Sequence, residues 1–297
     1  MSIGGSIVVS LKGGLGNQLF QYSLGRALSI KHAASLFWDL SGLRPTQGAT
    51  PRSYALEPFH VNVRSATEEA VGSLKFGTNR HFTILERVRA RLPIRWHRFI
   101  REKHSGFQPD ILKACPSVML SGYWQDERYF TSISQELRKD LLQYRVFSGF
   151  AAELARDMAE ANTVSVHVRR GDYANDPATT GYHGALSPGY YGEATERVQT
   201  AMFAKYYVFA DEIEWARNNL HFNGPATFVS GSYGLKDYEE LWLMSLCHHH
   251  IIANSTFSWW GAWLGERKDS LTICPKRWFA SSLKQEEHIA PDRWIRL

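Results

Sequence analysis

The sequence predicts an α/β protein in two halves, each built on a parallel sheet, and three observations carry that expectation. Short, mostly apolar runs alternate with stretches of helical periodicity along most of the chain. Those runs are apolar enough to be covered on both faces, as the strands of parallel sheets are. Residues that do not belong in a core (12–17, 167–173, 211, 230–231 and 254–258) each follow such a run, at the strand ends where open parallel sheets bind ligands.

The elements follow in order. Residues 7–11 read as a strand, a glycine-rich turn comes next, then a helix over 18–31 and a strand over 35–38, which makes a βαβ unit. The stretch "GLRPTQGATPRSYALEP" is rich in turn formers and reads as loop, followed by a strand at 118–121 and a helix near 126–142. Regular alternation then takes over. Helices are expected at 152–161, 189–202, 213–220, 236–247 and 257–266, with strands at 164–168, 206–210, 227–230, 250–253 and 271–274. The change of texture sets a boundary between an N-terminal α/β domain, residues 1–150, and a C-terminal one, residues 151–297.

Composition narrows the class. With 297 residues, 44% of them hydrophobic, the chain can bury a large core, which argues against disorder. No apolar run approaches the roughly 18 residues of a membrane span, and no early stretch has the layout of a secretion signal, so a soluble, unexported protein is expected. Cys115, Cys247 and Cys274 have no metal-ligand spacing, and their odd number fits a reducing compartment. The formal net charge of +5 is concentrated in residues 80–104, where eight Lys and Arg face two Glu, a local balance of +6.

Four motifs carry chemistry. "KGGLGNQ" places Gly13, Gly14 and Gly16 between a strand and a helix, where backbone amides can approach an anion; a tight structural turn is the plainer explanation. "HVRRGDY" sets His167, Arg169, Arg170 and Asp172 against a buried strand, and two planar guanidinium forks suit phosphate oxygens. The plainer reading braces the loop with an Arg170–Asp172 pair. "ANSTFSWWGAWLG" puts Asn254, Ser255, Thr256 and Ser258 at a helix start, to cap it or to hold an anion. Trp259, Trp260 and Trp263 read as core before they read as sugar platforms. His248, His249 and His250 are consecutive, so a strand would point them to opposite faces, and a metal site is not expected.

Five segments, "GGLGNQLFQYSLGRALS" (13–29), "GYWQDERYF" (122–130), "HVRRGDY" (167–173), "FADEIEWAR" (209–217) and "LMSLCHHHIIANSTFSWWGAWL" (243–264), resemble the landmarks of the α-1,2-fucosyltransferases, glycosyltransferase family 11. They occur in the family's order and span nearly the whole chain. The resemblance implies a GT-B-like fold of two Rossmann-like domains with the donor site in the cleft. It also implies GDP-L-fucose as donor, inverting transfer without a metal or other cofactor, and the 2-hydroxyl of a galactoside as acceptor. Animal members carry an N-terminal anchor, so the bacterial kind is the nearer match, acting on O-antigen or a similar glycan.

On these positions the resemblance implies Arg169 and Arg170 at the donor pyrophosphate with Ser255, Thr256 and Phe257, and Asp211 at the guanosine. Gly14, Gly16, Asn17, Gln18 and Asn254 complete the donor candidates, and Tyr123, Trp124 and Gln125 are the acceptor candidates. His167, Arg169 and Asp172 are the catalytic candidates; Asp172 stands ready to accept a proton or to orient an arginine. The family's "FSDDIEW" reads "FADEIEW" here, which leaves the role of Glu212 open. No nucleic-acid partner is expected. The basic segment, with Ile84, Leu85, Val88, Leu92, Trp96, Phe99 and Ile100 between its arginines, raises a peripheral contact with an anionic membrane on the cytoplasmic side as one reading. Apolar packing on the N-terminal half, with a solvated basic face, is the other. Two rival functions stay open: a hydrolase or transferase using another sugar nucleotide, and a non-catalytic glycan-binding module.

Overall fold

A computed structural model describes residues 5–44, 51–76, 93–171, 184–199, 203–231, 233–280 and 289–297. The chain divides into two compact units, Met1–Tyr144 and Arg145–Leu297. The expected boundary at 150/151 falls inside a helix of the second unit, Gly149–Met158. The preceding residues already belong to that unit: Arg145 donates to Ser245 Oγ at 3.2 Å, and the Phe147 ring lies edge-on to Trp242.

Unit 1 is built on β1 (Ser6–Ser10), β2 (Ser35–Asp39), β3 (Arg64–Ser65), β4 (Phe99–Arg101) and β5 (Val118–Ser121). All neighbours are parallel, in the order β3-β2-β1-β5-β4. The central strand β1 is buried along its whole length, which is why "SIVVS" carries no charge. Helix α1 (Leu15–His32) follows the glycine turn, where Gly13 takes φ 77°, and it ends at Ala33 in the left-handed conformation. Lys31 and His32 in its last turn suit the negative end of the helix dipole. Helices α2 (Glu68–Phe76) and α3 (Ser134–Leu142) complete the described set. The helix expected from 126 starts eight residues later. Asp126 accepts a hydrogen bond from Arg128 N and closes a short 3-10 turn, and Phe130, at φ −138°, separates it from the next.

Unit 2 is built on β6 (Thr163–Val168), β7 (Lys205–Ala210), β8 (Ala226–Phe228), β9 (His249–Ile251), β10 (Thr272–Cys274) and β11 (Ile295–Arg296). This sheet is also parallel throughout, in the order β11-β10-β9-β6-β7-β8. Its described helices are α4 (Gly149–Met158), α5 (Pro188–Gln199), α6 (Ile213–Asn219), α7 (Asp237–Met244) and α8 (Thr256–Gly265). Val164, Val166, Val168, Tyr206 and Val208 form one core with Tyr191 and Ala194 of α5. Trp259, Trp260 and Trp263 of α8 are buried, as core residues rather than surface platforms. A Cβ at Gly265 would stand 2.7 Å from the Ser245 carbonyl oxygen, so the end of α8 lies against the end of α7 only because that position has no side chain.

Strand order fixes where ligands can enter. From β1 the first sheet grows one way through β2 and β3 and the other way through β5 and β4, so its crevice opens between the carboxyl ends of β1 and β5. From β6 the second sheet grows one way through β7 and β8 and the other way through β9, β10 and β11. Its crevice lies between the carboxyl ends of β6 and β9. Among the described residues, no helix is long and apolar enough to cross a membrane.

The basic segment is described only from residue 93. There, Phe99–Arg101 form β4, paired with β5, and Ile100 is buried, so this part packs as an edge strand. Residues 80–92 lie outside the described set.

Candidate active site

The β6–β9 crevice collects the motif residues of unit 2. Strand β6 alternates: its valines enter the core shared with α5, while Ser165 and His167 face away from it. The His167 ring meets Phe257 at 5.5 Å, and its Nδ1 is buried with no hydrogen-bond partner among the described residues. Burial first, and then the charge of Arg169, lower its pKa to about 3, so the ring is neutral near pH 7.

Just past the strand the two arginines take different surroundings. Arg169 Nη1 lies 3.2 Å from Asp211 Oδ2, with about a quarter of each side chain exposed. The other oxygen of Asp211, Oδ1, accepts from Arg170 N at 2.9 Å. This clasp needs Gly171, because a Cβ there would stand 2.9 Å from Asp211 Oδ2. The Arg170 guanidinium stacks on Trp215 at 3.9 Å, with its Nε 3.5 Å from Glu212 Oε2. The acidic partners therefore come from the end of β7, 41 residues away for the backbone bond. Asp172, the brace partner expected for Arg170, lies outside the described residues.

At the start of α8, Ser255 is the N-cap, its Oγ accepting from Phe257 N at 3.3 Å. Ser258 Oγ turns back to the carbonyls of Ala253 and Ser255, and Asn254 Nδ2 donates to the carbonyls of Gly184 and Trp278. Those three side chains serve the loop and the helix. The Thr256 side chain makes no hydrogen bond among the described residues and stands half-buried at the helix start, beside Phe257.

The β1–β5 crevice of unit 1 holds the glycine-turn residues. Asn17 Oδ1 accepts from Gln125 Nε2 at 2.7 Å, which joins the first turn of α1 to the loop after β5. Gly14 is half-buried and Gly16 buried at the start of α1, whose first turn has no acidic residue. Tyr123 is 40% exposed, with Lys12 Nζ 4.1 Å over its ring.

Two expectations are corrected here. Gln18 is fully buried and spends its amide on backbone, donating to Gly13 O and Ser53 O and accepting from Ala55 N, so it braces the turn and cannot reach a donor. Trp124 is likewise fully buried at φ 57° and lies edge-on to Tyr129, so it is core and no acceptor platform.

Several residues of these sites escaped sequence reasoning. Glu102 accepts from Tyr123 N at 2.7 Å and Trp124 N at 3.0 Å, and so holds the acceptor-candidate loop from β4. Nothing local marked it, since the bonds span about 20 residues. Trp215 had a signal, because it lies in the motif segment 209–217, four residues after Asp211. Glu240 of α7 is held by burial with its pKa raised to about 7; the Ser230 hydroxyl pulls against that rise and Asp237 adds to it. Ser230 Oγ in turn accepts from Ala210 N at 3.0 Å, so the Glu240 contact ends beside Asp211.

The three histidines have separate partners. His248 Nε2 lies 3.2 Å from Asp269, His249 Nδ1 accepts from Leu271 N, and His250 Nδ1 meets Ser165 Oγ at 2.8 Å. No group of three or more potential ligands that could hold a metal ion is present among the described residues.

Known proteins resemble the chain along its length. The model of "Glycosyl transferase family 11" matches residues 109–297. An Escherichia coli α-1,2-colitosyltransferase is 33% identical over 98% of both chains. The O-antigen biosynthesis glycosyltransferase WbnK of Escherichia coli is 28% identical over 97% of this chain and 99% of its own. A galactoside α-(1,2)-fucosyltransferase 1 of Saimiri sciureus is 24% identical over 58% of this chain and 48% of its own. Among solved structures, Arabidopsis thaliana FUT1 in complex with GDP aligns over 90% of this chain and 70% of its own at 12% identity and TM-score 0.46. The family match over more than half of the sequence, and a relative one-third identical from end to end, place the chain: it belongs to glycosyltransferase family 11.

Proposed function

We propose that this glycosyltransferase moves L-fucose from GDP-fucose to the 2-hydroxyl of a galactoside, with inversion, in the synthesis of a bacterial glycan such as O-antigen. One observation carries the reading: Arg169 and Arg170 stand at the carboxyl end of β6, across the crevice from the start of α8. Two guanidinium groups and a helix N-terminus together form a cradle for a diphosphate. The two E. coli relatives, one named for colitose transfer and one for O-antigen biosynthesis, support the class of product.

In the proposed reaction the acceptor oxygen bonds to C1 of the fucose while the bond from C1 to the phosphate oxygen breaks. GDP leaves with that electron pair, and the hydroxyl proton passes to a carboxylate or to water. Charge grows on the departing diphosphate, so cations fixed in advance lower the barrier. Arg169 is the principal such cation, held in place by Asp211. Arg170, stacked on Trp215, orients the loop and adds to the field. Thr256 and the first amides of α8 receive the phosphate oxygens from the other side. A histidine with pKa about 3 takes no acceptor proton near pH 7, so His167 acts as a neutral hydrogen-bonding group and Asp172 remains the candidate base. Unit 2 is thus the donor side. Unit 1, with Tyr123 and Gln125, is the acceptor side, Asn17 beside them stays a donor candidate, and the exposed Trp96, Arg95, Arg98 and Lys103 of the unit support a peripheral contact with an anionic membrane on the cytoplasmic side.

A second donor has a specific observation behind it, the 33% identity to a colitosyltransferase. The deciding experiment incubates the protein with GDP-fucose and, separately, GDP-colitose, in EDTA, with a panel of galactosides and linkage analysis of each product. The proposal expects an α-1,2-fucosyl galactoside in EDTA and only slow hydrolysis without acceptor. Preference for GDP-colitose would replace the donor, and loss of transfer that a divalent ion restores would replace the arginine mechanism.

A further inference from the structure

Away from the glycine turn, unit 1 has a cavity of about 630 Å³ that no step above uses. Ser35 and Leu36 line it at the amino end of β2, whereas the candidate acceptor residues follow the carboxyl ends of β1 and β5. The two places are therefore at opposite ends of one sheet. Chain segments distant in sequence converge on the cavity: α1, the start of β2, residues 60–63 with Arg64 at the start of β3, and the end of α3 with the residues after it.

Its lining combines fixed polar groups with an open aromatic face. Asp140 Oδ2 accepts from Tyr22 Oη at 2.6 Å and from Arg26 Nε at 2.9 Å, which sets both long side chains in one geometry. Asp140 Oδ1 makes no hydrogen bond among the described residues, and Arg26, which also shares a side-chain hydrogen bond with Tyr22, keeps further guanidinium N–H groups, so the cluster has an acceptor and donors to spare. Tyr144 is 47% exposed, and its ring lies 4.7 Å from that of His60.

This chemistry selects among ligands. Asp140 and Arg26 neutralise each other, so this fixed cluster carries no net charge to draw an anion and only the exposed Arg64 adds a formal charge to the lining, while the polar lining excludes a purely apolar guest. A sugar ring fits: each hydroxyl both donates and accepts, which suits paired Asp and Arg, and its C–H face suits an aromatic ring. The volume falls within the usual range of about 300–1,000 Å³ for small-ligand pockets. We propose that the cavity is a second saccharide site, holding a neutral hexopyranose unit of a glycan at a distance from the acceptor residues. That the glycan is the acceptor chain itself rests on the function proposed above; the binding does not. A polymer tethered there would keep its reacting end at high local concentration.

The test reads binding without donor or turnover, so a failed fucosyl transfer does not bear on it. Lactose and lacto-N-neotetraose are titrated into the full protein, followed by saturation-transfer NMR, with Tyr144→Ala, Asp140→Asn, Tyr123→Ala and Arg169→Ala in parallel and thermal melts as folding controls. Tyr144 is exposed, so its variant should melt as the wild type does. The proposal expects millimolar binding that weakens by about tenfold or more in Tyr144→Ala, in the manner of an aromatic anchor, and persists in Tyr123→Ala and Arg169→Ala. No binding by the wild type overturns it. So does a natively melting Tyr144→Ala that binds both sugars unchanged, binding lost only in Tyr123→Ala, or displacement by inorganic phosphate.

Discussion

Replacing Glu240 by Gln should change how the stability of the protein depends on pH. A glutamate carboxyl ordinarily titrates near 4.5, but burial raises Glu240 to about 7. Below the ordinary value, folded and unfolded chains both hold the proton. Between the two values the folded chain keeps it and the unfolded chain releases it, so rising pH favours unfolding. Above about 7 both release it, and the full cost of a buried carboxylate stands. At about 1.4 kcal/mol for each tenfold change in proton affinity, that cost is roughly 3 kcal/mol. Glutamine keeps the size and an acceptor for the Ser230 hydroxyl but never ionises. The variant should therefore be more stable than the wild type by roughly 1–3 kcal/mol at pH 8, and nearly equal to it at pH 5. For a unit of this size the difference reads as a rise in Tm of several degrees, on the order of 2–4 °C per kcal/mol. Melts of both proteins at pH 5, 6, 7 and 8 give the comparison. Asp237→Asn, which removes the nearby negative charge, should recover part of the gain. If wild type and Glu240→Gln lose stability in parallel from pH 5 to 8, Glu240 does not carry a raised pKa and the reasoning from its burial fails.

Arg169→Ala and Arg169→Lys should each cut transfer by about 100-fold or more, since an ammonium cannot reproduce a two-pronged contact with a diphosphate; an alanine variant within about threefold of wild type, at equal Tm, would remove Arg169 from the mechanism. Asp211→Ala strips the acceptor from Arg170 N and the partner from Arg169, and should cost roughly 2–3 kcal/mol in urea unfolding. Asp211→Asn keeps an oxygen for Arg170 N and should cost less than about 1 kcal/mol, because a quarter-exposed ion pair contributes little. Equal losses in the two variants would show that charge, and not the backbone bond, holds the loop.

Much of this protein could be read before any tertiary structure, and the readable parts share a cause. Strands β1, β5, β6 and β7 stood out because burial on both faces demands apolar runs of several residues. The cap at Ser255 and the position of the arginines just past β6 are local, set within a few residues of chain. The motif resemblance was legible for the same reason, since each motif is one turn joining one strand to one helix. Strands β3, β4 and β11 were not legible. Two or three residues at a sheet edge are too few to show a period, and their pairing comes from the neighbour they lie against.

Other outcomes depended on segments far apart in sequence. Gln18 resembled a ligand residue until Ser53 and Ala55 closed over it, and Trp124 resembled a platform until Tyr129 met its edge. Local sequence puts Arg169 and Arg170 at a strand end but does not choose their partners. Asp211, Glu212 and Trp215 arrive there because β7 lies beside β6 in the sheet. The same holds for the crevices themselves. A ligand site opens where the strand order reverses, and that order is a property of the whole sheet that no single stretch of residues encodes.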